Sequence, residues 1–320
     1  VKLKMMYSFL NSDIEKIERE LEETVQANSI ILRESSLHLL QAGGKRIRPI
    51  FVLLAGQFGN YDIHKIKKAA VSLELIHMAS LVHDDVIDDS DLRRGQPTIK
   101  AKWDNKVAMY TGDYIFARSM EIMSDINKPD AHRVLANTIV EVCIGEIQQI
   151  KDKYRFDQNI RDYFRRIKRK TALLISASSL VGAIVSDVEE EFQQKLHQFG
   201  YYVGMSYQII DDVLDFVGTE KELGKPAGGD LLQGNITLPV LFAMENEEVR
   251  KKIITVHEAM SKQELTEVIT SIKNTDAIDR SLQVSDLYLN KALLTIRDLP
   301  NGKAKSALAN IAKYLGKRKF

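Results

Sequence analysis

Two short segments concentrate carboxylates in the same pattern. His83-Asp84-Asp85-Val86-Ile87-Asp88-Asp89 and Asp211-Asp212-Val213-Leu214-Asp215 each contain Asp-Asp-x-x-Asp after a long apolar stretch. On a helix, a step of four residues brings Asp84 over Asp88 and Asp211 over Asp215. Like charges at that spacing repel, so a cation is expected to compensate them. Carboxylates without Cys or paired His suit a hard, oxygen-seeking ion such as Mg²⁺, which uses one or two carboxylates and completes its octahedron with water and phosphate oxygens. Solvated helix ends are the plain alternative, but two matches on two apolar helices make it the weaker one.

Phosphate would need cationic partners, and four basic segments supply them. Gly43-Gly44-Lys45-Arg46-Ile47-Arg48-Pro49 joins a flexible turn to three cations. Arg93-Arg94-Gly95 follows the first aspartate cluster, Lys168-Arg169-Lys170-Thr171 precedes an uncharged helix, and Gly224-Lys225-Pro226 follows the second cluster. Arg offers a planar fork for phosphate oxygens and Lys a mobile point charge. Singly each segment reads as a solvated loop; together with the aspartates they imply a diphosphate held through metal ions.

The elements that must position these groups read as helices. Six prolines in 320 residues leave 130–225 without one, which favours long helices. Ser12 with Glu15 forms a capping-box pair before Ile14–Val25, and Asp187 with Glu190 repeats it before a helix from Val188 to Phe216. Asp62 is placed to cap a helix through Val86, and Pro129 to open another through Val142. The uncharged run Thr171–Ser186 predicts a buried core helix, and Glu247–Asn310 predicts amphipathic helices such as Ile272–Leu293. No period-two alternation, Asn-Gly hairpin or nucleotide-binding glycine fingerprint is present. With no composition break or low-complexity linker, the expectation is one all-α domain over 1–320.

Charge and composition narrow the class further. Lys plus Arg number 45 against 44 Asp plus Glu, a net charge of +1 that argues against a nucleic-acid binder. The single cysteine, Cys143, rules out a disulfide framework and is expected to pack inertly in a helix. Met5–Leu10 is too short for a signal peptide and Thr171–Ser186 too short for a membrane span, which predicts a cytosolic protein. The basic run Lys317-Arg318-Lys319 reads as a solvated tail, with at most transient membrane contact.

Taken in order, these motifs resemble the trans-polyprenyl diphosphate synthases, which elongate allylic diphosphates with isopentenyl diphosphate. The likeness runs from Gly43 to Pro239. It includes Gly-Gly-Lys-Arg-x-Arg-Pro, Glu74-Leu75-Ile76-His77 before the first aspartate motif, and Arg93-Arg94-Gly95-Gln96-Pro97-Thr98. It continues with Lys170-Thr171, Tyr207-Gln208-Ile209-Ile210 before the second aspartate motif, and Gly224-Lys225-Pro226-Ala227-Gly228-Gly229-Asp230-Leu231. Tyr207 stands where many members carry Phe, a conservative departure.

The resemblance implies a bundle of mostly antiparallel helices around a deep central cavity, with the aspartate motifs facing each other at its mouth. It implies that Asp84, Asp88, Asp211 and Asp215 hold Mg²⁺ on the allylic diphosphate, with Asp85 and Asp212 near or supporting them. Arg93, Lys170 and Lys225 would contact that diphosphate. Lys45, Arg48, His77 and Arg94 would hold isopentenyl diphosphate. Thr171 and Gln208 would direct oxygens at the carbon where positive charge develops. Ile76, Ala79 and Ser80 would line the path of the growing chain, and the small side chains at 79 and 80 imply a medium or long product. Within the family the likeness is greatest to the large catalytic subunit of two-component synthases, which implies a dissimilar small partner; a homodimer is the alternative.

Three rivals remain at this level. A His-Asp metal phosphohydrolase would use His83-Asp84 but leaves the second cluster unexplained. A terpene cyclase would pair one aspartate motif with an Asn/Ser/Glu motif. A non-catalytic scaffold on the same fold would be expected to lose the aspartates or cations that this chain retains.

Overall fold

The computed structural model describes residues 2–218 and 227–317. The all-α expectation holds: helices dominate from Lys2–Met6 to Lys303–Gly316, and the strands among the described residues are the two-residue pair Leu92–Arg93 and Gln96–Pro97. That hairpin has a physical signature the sequence pattern did not reveal. Its two turn residues, Arg94 and Gly95, have φ of 53° and 76°, the left-handed pair that a two-residue hairpin demands.

Two compact units emerge, each assembled from separate stretches of chain. The first comprises 1–136, 177–197 and 299–308; the second comprises 137–176, 198–298 and 309–320.

In the first unit the centre is the helix Ile63–Ile87. Asp62 caps it as expected, its carboxylate accepting the His64 N–H at 2.9 Å. Residues 69–76 of this helix are buried on every side, so apolar residues continue around it instead of forming one stripe. It packs on Ile47–Gly56, itself buried along its length apart from Arg48, and on Asn105–Ser124.

The second unit is built on residues 198–217 of the helix Glu190–Val217 and a core that includes Tyr163, Phe216, Met205 and Leu238. The helix Ile160–Ile167 opens with a capping box from Asn159 and Asp162. It then passes through a single π-helical turn, Lys168–Ala172, before Leu173–Val185 continues as a regular helix. The uncharged run is thus the buried helix expected, and Pro129 opens Pro129–Asp152.

Four local expectations are corrected. Ser12 does not cap a helix: the 3-10 turn Ser8–Leu10 runs directly into Asn11–Thr24, so the chain enters already coiled. Asp187 is not a cap either, because it takes φ of 54° in a turn and pairs with Lys128 ahead of a helix that starts at Glu190. The stretch Ile272–Leu293 is interrupted, one helix ending at Lys273 and the next starting at Ala277. Cys143 is exposed, because the apolar side chains Val140, Ile144 and Ile147 on its helix face outward at 57%, 43% and 56% exposure.

Candidate active site

Six aspartates of identical type separate into two groups once folded. In the first motif Asp84 and Asp88 are partly exposed, whereas Asp85 is 3% exposed. Asp88 ends the Ile63–Ile87 helix, its N–H donating to the Asp84 carbonyl at 2.8 Å. Carboxylates at a helix C-terminus meet the negative end of the backbone dipole, so their placement favours a bound cation.

Asp85 turns inward and receives Arg93. The Arg93 Nε lies 3.0 and 3.1 Å from its two oxygens, and an Nη 2.7 Å from one of them. Burial raises the Asp85 pKa and the guanidinium opposes that rise. The hairpin carrying Arg93 is fastened by Thr98 Oγ1 donating to the Ser90 carbonyl at 2.8 Å, and by Lys100, 2.7 Å from Asp89 and 3.1 Å from Asp91.

Next to Arg93, the exposed Arg94 reaches the basic turn. A Cβ on Gly44 would lie 2.8 Å from an Arg94 Nη, so glycine there leaves room for that guanidinium. His77 sits within the field of the same group. Burial, then Arg48, Arg94, Arg93 and Arg46, hold its imidazole well below the ordinary histidine range, so the ring is neutral near pH 7. The first unit therefore gathers Arg48, His77, Arg93 and Arg94 into one electropositive region, with Lys45 exposed on the adjoining turn.

Ile76 and Ala79 lie buried on the same helix at 7% and 2% exposure, and Ser80 is partly exposed with its hydroxyl donating to the His77 carbonyl at 2.8 Å. His83 points elsewhere: Nε2 is 3.2 Å from Asp113 Oδ1, with the ring against Gly112.

In the second unit the π-helical turn organises a network of polar side chains. Lys170 Nζ donates to Gln149 Oε1 at 3.0 Å. Thr171 Oγ1 donates to Gln208 Oε1 at 2.5 Å, and Gln208 Nε2 donates to Asp212 Oδ1 at 2.8 Å. Tyr163 OH donates to the other Asp212 oxygen at 2.7 Å. Asp212 is thus a buried anchor that orients Gln208, which in turn orients Thr171. Burial pushes its pKa up to about 7, with Asp230 and Asp211 adding to the rise and the Tyr163 and Gln208 hydrogen bonds resisting it. Asp211 is partly exposed; Asp215 is buried and accepts the Asp230 N–H at 3.1 Å, drawing in the segment that starts at Gly228.

Two glycines let neighbouring helices close on this turn. A Cβ on Gly145 would fall 2.5 Å from Arg169 Cβ, and one on Gly204 2.5 Å from Ala172 Cα. Lys225 lies outside the described residues, as do Arg318 and Lys319 of the basic tail. Tyr163 and Gln149 were missed at the sequence level, because a tyrosine or glutamine on a helix carries no sign of its partner.

Among the described residues, no three His, Cys, Asp or Glu side chains converge into a closed metal cage. An open, all-carboxylate donor set is what Mg²⁺ accepts, since substrate oxygens supply the rest of its shell. Among the same residues, no helix is long and apolar enough to cross a membrane.

Comparison with known proteins finds similarity along the whole chain. The polyprenyl synthetase family matches residues 29–273. Heptaprenyl diphosphate synthase component 2 of Bacillus subtilis is 63% identical over 320 residues, covering 100% of this chain and 92% of that protein. The crystal structure of heptaprenyl diphosphate synthase from Staphylococcus aureus superposes with a TM-score of 0.93 at 47% identity, covering 97% of this chain and 98% of that one. A polyprenyl synthase from Caulobacter crescentus, solved with calcium and isoprenyl diphosphate, gives 0.93 at 29% identity over 99% and 98% of the two chains. The ordered motifs, the helical fold and this full-length similarity lead to one conclusion: the chain belongs to the polyprenyl synthetase family.

Proposed function

We propose that this chain is the catalytic subunit of a heptaprenyl diphosphate synthase. It would condense an allylic diphosphate, farnesyl diphosphate being the expected primer, with successive isopentenyl diphosphates, in one catalytic domain over 1–320. The observation that carries the proposal is the 63% identity over the full chain to component 2 of the Bacillus subtilis enzyme. The heptaprenyl product would serve as a menaquinone side chain, made by a cytoplasmic enzyme.

The proposed division of labour is the one implied by the family motifs that these residues match. Asp84, Asp88, Asp211 and Asp215 would hold Mg²⁺ ions, and Asp85 and Asp212 support the neighbouring polar groups. Held by these carboxylates, Mg²⁺ would supply positive charge to offset that growing on the departing diphosphate. Arg93, Lys170 and Lys225 grip the same diphosphate, and Asp85 keeps the Arg93 fork aimed. Breaking the carbon–oxygen bond leaves an allylic cation, and Thr171 and Gln208 present oxygens to it. Lys45, Arg48, Arg94 and neutral His77 hold isopentenyl diphosphate, whose double bond attacks the cation. Loss of a proton to the released diphosphate restores an alkene. Apolar surroundings exclude water that would quench the cation. Ile76, Ala79 and Ser80 line the growing tail, and the small side chains at 79 and 80 leave it room.

Association with a dissimilar subunit is part of the proposal, because the Bacillus subtilis protein is named as one component of two. The outward stripe of Val140, Cys143, Ile144 and Ile147 supports it, as exposed apolar surface of this kind marks protein–protein contacts. The phosphohydrolase alternative would need His83 as a metal ligand, whereas its ring is engaged with Asp113.

The test is elongation of farnesyl diphosphate by the purified chain with labelled isopentenyl diphosphate and Mg²⁺, with and without its partner subunit. Heptaprenyl diphosphate as the longest main product is expected. No condensation in either case, or a cyclised hydrocarbon product, would overturn the proposal.

A further inference from the structure

Arg46 sits between Lys45 and Arg48, yet its guanidinium is committed to carboxylates. Its Nε and an Nη grip Glu18 at 2.7 and 3.1 Å, and its other Nη reaches Glu74 at 3.2 Å. A further contact runs to the Leu40 carbonyl at 3.4 Å. The side chain is 10% exposed, that of Glu74 5% and that of Glu18 40%. These contacts tie together the helix Asn11–Thr24, the basic turn and the helix Ile63–Ile87.

The backbone at Arg46 makes the arrangement informative. Its φ and ψ of 49° and 37° are left-handed, a conformation that a residue with a Cβ adopts when something holds it there. This is the junction at which the helix Ile47–Gly56 begins, with Lys45 one peptide before it and Arg48 in the first turn after it. Any change in the dihedrals of residue 46 swings Lys45 relative to Arg48. The guanidinium also folds back under the turn, an Nη lying 3.3 Å from where a Cβ on Gly44 would stand. Glu74 lies three residues before His77, on the same side of the central helix. The triad thus links the direction of Lys45 and Arg48 to the position of His77.

We propose that Glu18, Arg46 and Glu74 are positioning residues for the isopentenyl diphosphate site: they lock the left-handed junction and set affinity for that substrate without touching it. The proposal rests on the assignment of Lys45, Arg48 and His77 to isopentenyl diphosphate. A simple stabilising ion pair would predict something different, namely a loss of stability that affects both substrates alike.

Four full-length variants, each with the partner subunit present, decide between them. They are Arg46→Lys, which keeps the charge but loses the fork, Glu18→Gln, which keeps the shape at a half-exposed position, and the controls Lys45→Ala and Arg48→Ala. Arg46→Lys is expected to raise KM for isopentenyl diphosphate about tenfold, and Glu18→Gln roughly threefold, because lysine cannot grip a carboxylate bidentately and glutamine carries no charge. KM for farnesyl diphosphate should stay within about twofold of the parent, as should kcat at saturation, since the triad positions the groups that hold one substrate only. Equal rises in both KM values, or a lowered Tm with no change in KM, would overturn the proposal. Should Arg46→Lys fail to fold, Glu18→Gln carries the decision alone. If Lys45→Ala and Arg48→Ala leave KM for isopentenyl diphosphate unchanged, the site assignment itself falls. If they raise it while Arg46→Lys and Glu18→Gln do not, only the triad falls.

Discussion

Replacing Gly204 with alanine should separate two helices at the point where they hold Thr171 and Gln208, the pair proposed to face the allylic cation. The new Cβ would lie 2.5 Å from Ala172 Cα and 3.0 Å from its Cβ, where ordinary contact needs 3.4–4 Å. Both obstacles belong to a buried residue, so the helix and the π-helical turn must part by about 1 Å, an overpacking cost of about 1–3 kcal/mol. Thr171 is the residue next to Ala172, and Gln208 stands about 6 Å along the helix from Gly204, one turn on. Most of the displacement should therefore reach the Thr171–Gln208 hydrogen bond. Its 2.5 Å plus about 1 Å is about 3.5 Å, beyond the usual reach of an O–H donor. Misplacing a reacting geometry by about 1 Å costs up to about a hundredfold in rate. Steady-state kinetics of Gly204→Ala should show kcat lower by about ten- to a hundredfold, with urea unfolding showing the stability loss. Gly302→Ala is the control, because nothing lies within 4 Å of its added Cβ. A Gly204→Ala enzyme with full stability and kcat within twofold of the parent would refute the reasoning.

Asp85→Asn keeps the shape of its side chain but removes the charge facing Arg93. KM for the allylic diphosphate should rise about tenfold, or about 1.4 kcal/mol, while the Mg²⁺ concentration for half-maximal activity holds; a shifted Mg²⁺ requirement would make Asp85 a metal ligand instead. Phenylalanine at Ala79 or Ser80 should shorten the main product, read by chromatography of the chain lengths, and an unchanged profile in both would remove these positions from the tail's path. His77 gives a pH dependence whose sign follows from its depressed basicity. Below about pH 6.5 the unfolded chain takes up a proton there that the folded chain refuses, so this contribution to stability rises with pH through the ordinary imidazole range and levels off above it. His77→Gln should flatten that part of the urea-midpoint profile between about pH 5 and 7, and an unchanged slope would assign it to other groups.

Residue chemistry was legible where type and spacing carry the message. Two repeated carboxylate patterns beside basic segments implied metal and diphosphate, and Asp62 and Pro129 marked helix starts because their preferences are local. What could not be read was direction. Asp84 and Asp85 are neighbours of identical type, yet one is partly exposed and the other meets Arg93, eight residues downstream in a hairpin of two-residue strands. Arg46 and Arg48 look equivalent in the sequence; the former is claimed by Glu18 and Glu74 on other helices. Cys143 was misjudged for a related reason, since an apolar stripe does not say whether a chain folds over it. The capping pairs at Ser12 and Asp187 failed where the incoming chain was already coiled or turned, which overrides the local motif.

The π-helical turn at Lys168–Ala172 also sets a rule for chain length. A π turn holds one residue more than the α phase allows, and each residue turns a helix by about 100°. Deleting one residue there would let Ile160–Val185 relax into a single uninterrupted α-helix. Backbone hydrogen bonding would improve, and Lys170 and Thr171 would rotate away from Gln149 and Gln208. The extra residue is therefore a phase offset whose removal would make a more regular helix and a poorer enzyme. Single-residue deletions across 168–172 should be far less tolerated than the modest side-chain changes that surround them.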